Sequence, residues 1–433
     1  MRRFILWLLV LILIVVVVGP LALIGVSLQA EPILPPGAAL SPAEAARSRE
    51  LVKRARAAAR DTVGVAEVTA SRQELEGLIA AGARVFPSLR GRVQLQPDGM
   101  TARLAFQPPG LSRLGWVNAE ARLAPSQGGL DVQAIRLGGL DLPPGAVLAV
   151  ARLGLDLATA EDVGTLLLSS VQEVRMAPGR LTIAADTGGA GDDSLFARAV
   201  GGLREAAGLT GGEAARAHYD AMAAAAADGR LPASGSAAPW LRFALDGAAE
   251  AGASGDLAAR AEVRAALLAL AAHCGDRSAI ETVAGALAPE GRVKSACEGT
   301  SLGGRPDLRK HFTLSAAFAA AGGSAVSFGL GEVKELVDAG RAGGSGFSFD
   351  DIAADRAGIA FAQQAMEAGR GGLAWMSGQL TSERAAMPSI AGLPSFMPEA
   401  EFERRFGSVA DERYRAQLNG IDARIAALPL HSR

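Results

Sequence analysis

Between Asp307 and Asp355 the chain concentrates residues that can do chemistry. Asp307 and His311 stand four apart, so a helix would set them on one face. Lys334, Glu335 and Asp338 follow, then Gly344, Ser345 and Gly346, then Ser348, Asp351 and Asp355. An imidazole among carboxylates suits zinc or manganese, and carboxylate oxygens alone suit calcium or magnesium. A metal-bound water, or His311 as general base, would make the set hydrolytic. The same residues would also make an ion-pair network that fixes three small helices. That network, with no cofactor, is the first expectation. A divalent cation is the second, and hydrolysis the third.

Three helices must position these groups. Pro306 suits a first helical turn, and Gly322-Gly323 stops that helix. Ser324 is a fitting N-cap and Gly340 a fitting stop for the next, whose apolar stripe is Val326, Leu330, Val333 and Val337. The third begins after the glycine-rich loop, with Ser348 and Asp351 in capping-box spacing and Asp355 one turn further on. Each residue has a plain structural reading too. Asp351 can serve as a cap, worth about 0.5–2 kcal/mol, Lys334 and Glu335 can be a solvated face, and His311 can be packing. Two features argue for convergence: Asp338 near a helix C-terminus, where the dipole disfavours an anion, and the like-charged pair Asp351 and Asp355. Familiar catalytic signatures are missing. "GGSGF" departs from the nucleophile elbow because Phe347 stands where the last glycine belongs, and neither H-E-x-x-H nor a P-loop occurs.

"DLRKHFTLSAAF", then "GEVKELVD", then "GSGFSFDDIAADRAG" is similar to the YfiM-like family of predicted periplasmic lipoproteins, and more distantly to the VanZ-like family. The pattern falls on Asp307, His311, Phe312, Gly331, Lys334, Glu335, Asp338, Gly344, Ser345, Gly346, Ser348, Asp351, Asp355 and Gly358. It departs at Leu308, where the family often carries lysine. The resemblance implies an envelope role rather than a particular reaction.

Elsewhere the sequence speaks of location and layout. Arg2 and Arg3 precede a run from Phe4 to Leu28 without a charged residue. About 20 apolar residues cross a bilayer core, whereas a signal peptide's apolar region is about 7–15 residues. The run therefore reads as an uncleaved anchor, a cleaved signal being the alternative, with the N-terminus cytoplasmic and the bulk periplasmic. Cys274 and Cys297 are the only cysteines, and in an exported chain they most simply form a disulfide. A formal charge of -2 without a basic block leaves no footprint for nucleic acid. From Gly91 onward apolar and polar residues alternate, and "QPDG" marks a hairpin. A helix-like stretch from Ala146 interrupts the strands, which return at "QEVRMAPGRLTIAAD". This layout resembles anchored extracytoplasmic domains that hold or carry lipids. Beyond it the chain turns Ala-rich and helical, and Phe312 to Gly331 reads as buried helix rather than a span.

The expected fold is α+β and multidomain: a transmembrane helix, an α+β domain with a curved antiparallel sheet, and an all-α C-terminal half. Its parts are an anchor (1–30), a spacer and stalk helix (31–66), the α+β domain (67–190), an Ala-rich helical region (195–272), the YfiM-like module (273–370), and a loose segment with a final helix (371–433). The expected function is a non-catalytic envelope scaffold, assembly or lipid-contacting factor. It would be held in the inner membrane by residues 4–28 and would touch envelope lipid or another envelope protein. The rival is a metal-assisted hydrolase or transferase acting on an envelope glycan or lipid through His311, Glu335, Asp351 and Asp355. Lipid carriage by the α+β domain is a third reading.

Overall fold

The computed structural model describes residues 28–35, 42–85, 88–107, 115–159, 162–189, 194, 195, 198, 212–277, 280, 287, 295–322, 346–409 and 411–431. The expected anchor, up to residue 27, lies outside them. Among the described residues no helix is long and apolar enough to cross a membrane. The chain divides into two compact units, residues 1–38 with 50–199 and residues 39–49 with 200–433.

The first unit contains β1 (Leu28–Gln29), the later part of α1 (Pro42–Asp61), β2 (Val65–Ser71), α2 (Arg72–Val85), β3 (Arg90–Gln96), β4 (Gly99–Phe106), β5 (Trp116–Ala124), β6 (Asp131–Leu137), β7 (Leu140–Leu142), α3 (Pro144–Thr159), α4 (Val163–Ser170), β8 (Val171–Ala177) and β9 (Arg180–Asp186). β3 to β7 form an antiparallel meander. Its first turn is the expected hairpin, with Gln96 paired to Gly99. Alternation along the strands sends Val93 and Leu95 inward and leaves Arg92, Gln94 and Gln96 exposed. The Ser71–Glu74 capping box starts α2: the Ser71 N–H donates to Glu74 Oε2 at 2.7 Å, and the Glu74 N–H to Ser71 Oγ at 3.2 Å.

The single curved sheet expected from the sequence is two sheets. β8 and β9 return beside β2 as a three-stranded sheet instead of extending the meander. Val93 and Leu95 of one sheet and Val174 and Leu181 of the other share a core with Leu75 and Ile79 of α2. A second correction concerns the segment read as anchor end and spacer. Leu28 and Gln29 pair with Val117 and Trp116. The buried Asn118 amide then donates to the Glu31 carbonyl at 2.9 Å, its oxygen accepts from the Ile33 N–H at 3.1 Å, and Arg90 donates to the Leu34 carbonyl at 2.8 Å. Backbone pairing at Leu28 and Gln29 and the side chains of Asn118 and Arg90 hold this stretch to the sheet, and hydropathy carries no sign of it.

The second unit contains α5 (Gly212–Ala227), β10 (Ser234–Ser236), α6 (Ala238–Ala251), α7 (Asp256–Cys274), β11 (Gly299–Ser301), α8 (Pro306–Gly322), α9 (Phe349–Glu367), α10 (Gly369–Gln379), α11 (Glu399–Phe406) and α12 (Glu412–Ala426). It is not purely helical, because β10 and β11 pair in parallel. α7 is buried from Ala265 to Cys274 and packs against α5, α6 and α8. The final helix expected in 371–433 is α12, and the segment before it, expected to be loose, is folded as well: α11 and α12 bring Phe402, Phe406 and Tyr414 against Phe347 and Phe349. Aromatic contacts reaching back along the chain organise it, with Phe402 and Phe406 four apart on the buried face of α11.

His273 is buried near the end of α7, stacked on Tyr219 at 3.9 Å, with Nε2 donating to the Tyr219 carbonyl at 3.0 Å. Burial draws its pKa below the ordinary value, more than the hydrogen bond to Tyr219 raises it. A base with a depressed folded pKa binds fewer protons folded than unfolded. Its contribution to stability is therefore whole above the unfolded value of about 6.5 and is lost as pH falls below it. Thermal unfolding midpoints should drop between pH 7 and pH 5, and the drop should be shallower in His273→Phe.

Candidate functional site

The site forms where the start of α8 meets the start of α9. Ahead of α8, Gly303 and Gly304 take φ of +59° and +75°, and this turn lets Leu302 and Arg305 exchange backbone hydrogen bonds. It delivers the Arg305 side chain among the acids. Arg305 Nη2 donates to Asp307 Oδ2 at 2.5 Å, its Nη1 to Asp350 Oδ2 at 2.6 Å, and its Nη2 lies 3.4 Å from Asp351 Oδ1. The guanidinium also sits 4.9 Å from the centre of the Phe396 ring. Phe396, at φ +57°, is the one non-glycine with positive φ among the described residues, so local strain accompanies that contact.

One turn into α8, His311 faces the same acids. Its Nδ1 lies 3.1 Å from Asp355 Oδ1, and its Nε2 lies 3.5 Å from Asp351 Oδ2. Ser315 Oγ donates to Asp355 Oδ1 at 2.7 Å. Asp351 is at once a helix-start residue and a site residue, because its backbone N–H is capped by Ser348 Oγ at 3.3 Å. Side chains of Asp351 and Asp355 are 5% and 3% exposed, and that of His311 is 11% exposed. Burial alone would lift the Asp307 carboxyl, but the hydrogen bonds and charge of Arg305 outweigh it and hold that group below the usual carboxylate range. Those same bonds raise the Arg305 pKa.

Asp307, His311, Ser348, Asp351 and Asp355 thus come together, Asp307 by way of Arg305. Lys334, Glu335, Asp338, Gly344 and Ser345 lie outside the described residues. Gly346 is described: at φ +76° it approaches the 396–397 backbone so closely that a Cβ would lie 2.7 Å from the Phe396 carbonyl carbon. Phe347 then exchanges backbone hydrogen bonds with Met397 at 2.7 and 2.9 Å. Arg305, Ser315, Asp350 and Phe396 escaped the sequence reading. Arg305 stood in plain view beside Pro306, and Ser315 one turn after His311. Phe396 gave no local signal.

Two contacts fix α8. At Gly358 a Cβ would lie 2.2 Å from the Phe312 carbonyl oxygen, so α8 and α9 pack backbone to backbone where His311 must reach Asp355. On another side, buried Arg309 donates through Nε to the Cys274 carbonyl at 2.7 Å and through Nη1 to the Glu298 and Thr300 carbonyls at 2.8 and 2.7 Å. The Cys297 carbonyl accepts from Nη1 as well. A disulfide joins Cys274 to Cys297, so Arg309 grips the backbone on both sides of it.

Four carboxylates here face two groups able to carry positive charge, Arg305 and His311, among the described residues. Asp350 Oδ1 and Asp355 Oδ2 are buried without a hydrogen bond. Among the described residues no three histidine, cysteine or acidic side chains are arranged to hold a metal ion. No family model, curated protein or solved structure matches the chain.

Gly358→Ala should destabilise the protein by about 1–3 kcal/mol, the ordinary cost of overpacking. Gly371→Ala in α10, where a Cβ meets open space, should be neutral or slightly stabilising. Arg309→Met should cost about 1.5–3 kcal/mol by stranding carbonyls that a charged donor now satisfies. Arg309→Lys should recover little, since one ammonium cannot serve both sides of the disulfide. Denaturant unfolding of the four variants checks all of these values.

Proposed function

We propose that this chain is a membrane-anchored periplasmic envelope protein that acts by contact, as scaffold, assembly factor or lipid-contacting partner, rather than by catalysis. The observation that carries the proposal is how the polar groups of the site are used. Arg305 binds Asp307, Asp350 and Asp351, His311 lies between Asp351 and Asp355, and Ser315 closes on Asp355. Groups so committed clasp α8 to α9. Two features support the location: the charge-free run from Phe4 to Leu28 behind Arg2 and Arg3, and the disulfide, a bond that persists in oxidising compartments. The YfiM-like resemblance, on Asp307 through Gly358, supports the same compartment.

A second reading has its own observation. The four carboxylates, with the oxygens Asp350 Oδ1 and Asp355 Oδ2 that have no hydrogen bond among the described residues, would welcome a divalent cation. Glu335, which the sequence also names for such a centre, lies outside the described residues. Such a centre would serve a metal-assisted hydrolase or transferase acting on an envelope glycan or lipid.

Elemental analysis of the purified full chain, beside His311→Ala and Asp355→Ala, separates the two. On the structural reading, each single variant loses about 1–3 kcal/mol, because removing one partner leaves a buried polar group of the other unsatisfied. The double variant then loses clearly less than their sum, and none of the samples carries stoichiometric metal. Stoichiometric metal in the parent, lost from both folded variants, would establish the second reading.

A further inference from the structure

α3 and α4 form a helical hairpin that presents apolar residues to the outside. The two helices pack tightly, since a Cβ at Gly164 would lie 2.4 Å from the Arg152 carbonyl oxygen. Asp156 accepts from the Thr165 N–H at 3.0 Å and from its hydroxyl at 2.7 Å. The one acid of α3 is thereby engaged within the hairpin. Facing outward are Val150, Leu153 and Leu157, which are 71%, 57% and 75% exposed, and Leu167 of α4 is exposed as well. Positions 150, 153 and 157 fall on one helical stripe. Arg152 is the only cation of α3, and α4 carries no charge at all. An apolar stripe of this kind on a well-packed helix marks a contact surface.

The chain ahead of β1 indicates what covers it. Residues 4–27 carry no charge and run directly into Leu28. Leu28 pairs with Val117 of β5, while β6 reaches β5 two residues further on, with Leu137 opposite Ala119. β4 occupies the other side of β5, so β1 and the end of β6 share one side. β7 pairs with that end of β6, Leu140 opposite Leu137, and leads into α3. The apolar segment therefore joins the sheet beside the strand that feeds the exposed helix. α3 has 16 residues, a length of about 24 Å at 1.5 Å per residue. That is too short to cross a core of about 30 Å, but it suits a helix lying in the interface.

We propose that the α3–α4 hairpin is an interfacial lipid contact. The stripe of Val150, Leu153 and Leu157 enters the headgroup–acyl boundary of the bilayer that residues 4–27 cross, and Arg152 reaches from its flank toward the headgroups. This rests on the membrane-anchored reading above, which the experiment tests in parallel.

The protein's two cysteines are joined to each other, so a single added cysteine can carry a label. Full-length Leu153→Cys and Leu157→Cys, bearing an environment-sensitive fluorophore, would be reconstituted in vesicles of phosphatidylcholine and phosphatidylglycerol with doxyl-labelled lipid. Gly128→Cys, exposed in the turn at the opposite end of β5 and β6, is the control. Labels at 153 and 157 should emit to the blue of the label at 128 and be quenched several-fold more strongly by the doxyl lipid. If the chain floats with the vesicles but all three labels remain solvent-like, the lipid contact is overturned and the anchor stands. Blue-shifted labels that lipid does not quench, with 153-to-153 disulfide crosslinks in the unlabelled Leu153→Cys protein, would make the occupant a second copy and overturn it too. A chain that does not float brings down the anchored reading and the lipid contact together.

Discussion

Helix α8 can lie on α9 at the required depth because residue 358 has no side chain. The carbonyl oxygen of Phe312 occupies the space where a Cβ would stand. This approach brings His311 and Ser315 within reach of Asp355, and it puts Arg305, just ahead of α8, among Asp307, Asp350 and Asp351. Hydrogen bonds of this kind tolerate little displacement. The polar groups supply specificity here, while the bare glycine supplies the proximity they need.

Arg305 and Arg309 stand four residues apart and solve opposite problems. Arg305 neutralises carboxylates that would otherwise repel one another, Asp350 and Asp351 buried and Asp307 half exposed. Arg309 meets carbonyl oxygens, and burial lowers its pKa from the ordinary arginine value. A guanidinium with several fixed donors suits both tasks. A lysine in either place would satisfy fewer of the same acceptors.

Much of this was legible in sequence because it is local. Pro306 opens α8, Ser348 caps α9, and the four-residue spacing of Asp351 and Asp355 sets both on the face that His311 meets. The hairpin at Gln96 and Gly99 and the capping box at Ser71 are local signals as well. What stayed hidden depends on distant partners. Arg305 finds Asp350 and Asp351 some forty-five residues on, and Phe396 comes from further still. The attachment of Leu28 and Gln29 to β5 combines backbone pairing with a bond from the Asn118 amide to Gln29, a partner far along the chain. The division into two sheets rests on β9 pairing with β2 across most of the first unit, a choice that alternation within a strand leaves open.

The grip of Arg309 ties the disulfide to the placement of α8. Its acceptors include the carbonyls of both half-cystines. Joining Cys274 to Cys297 gathers those carbonyls into a receptor for the guanidinium, and the seated guanidinium in turn holds the two cysteines close. Oxidation and the seating of α8 thus promote each other. Whatever joins the two cysteines therefore also favours the position of α8 from which His311 meets Asp355.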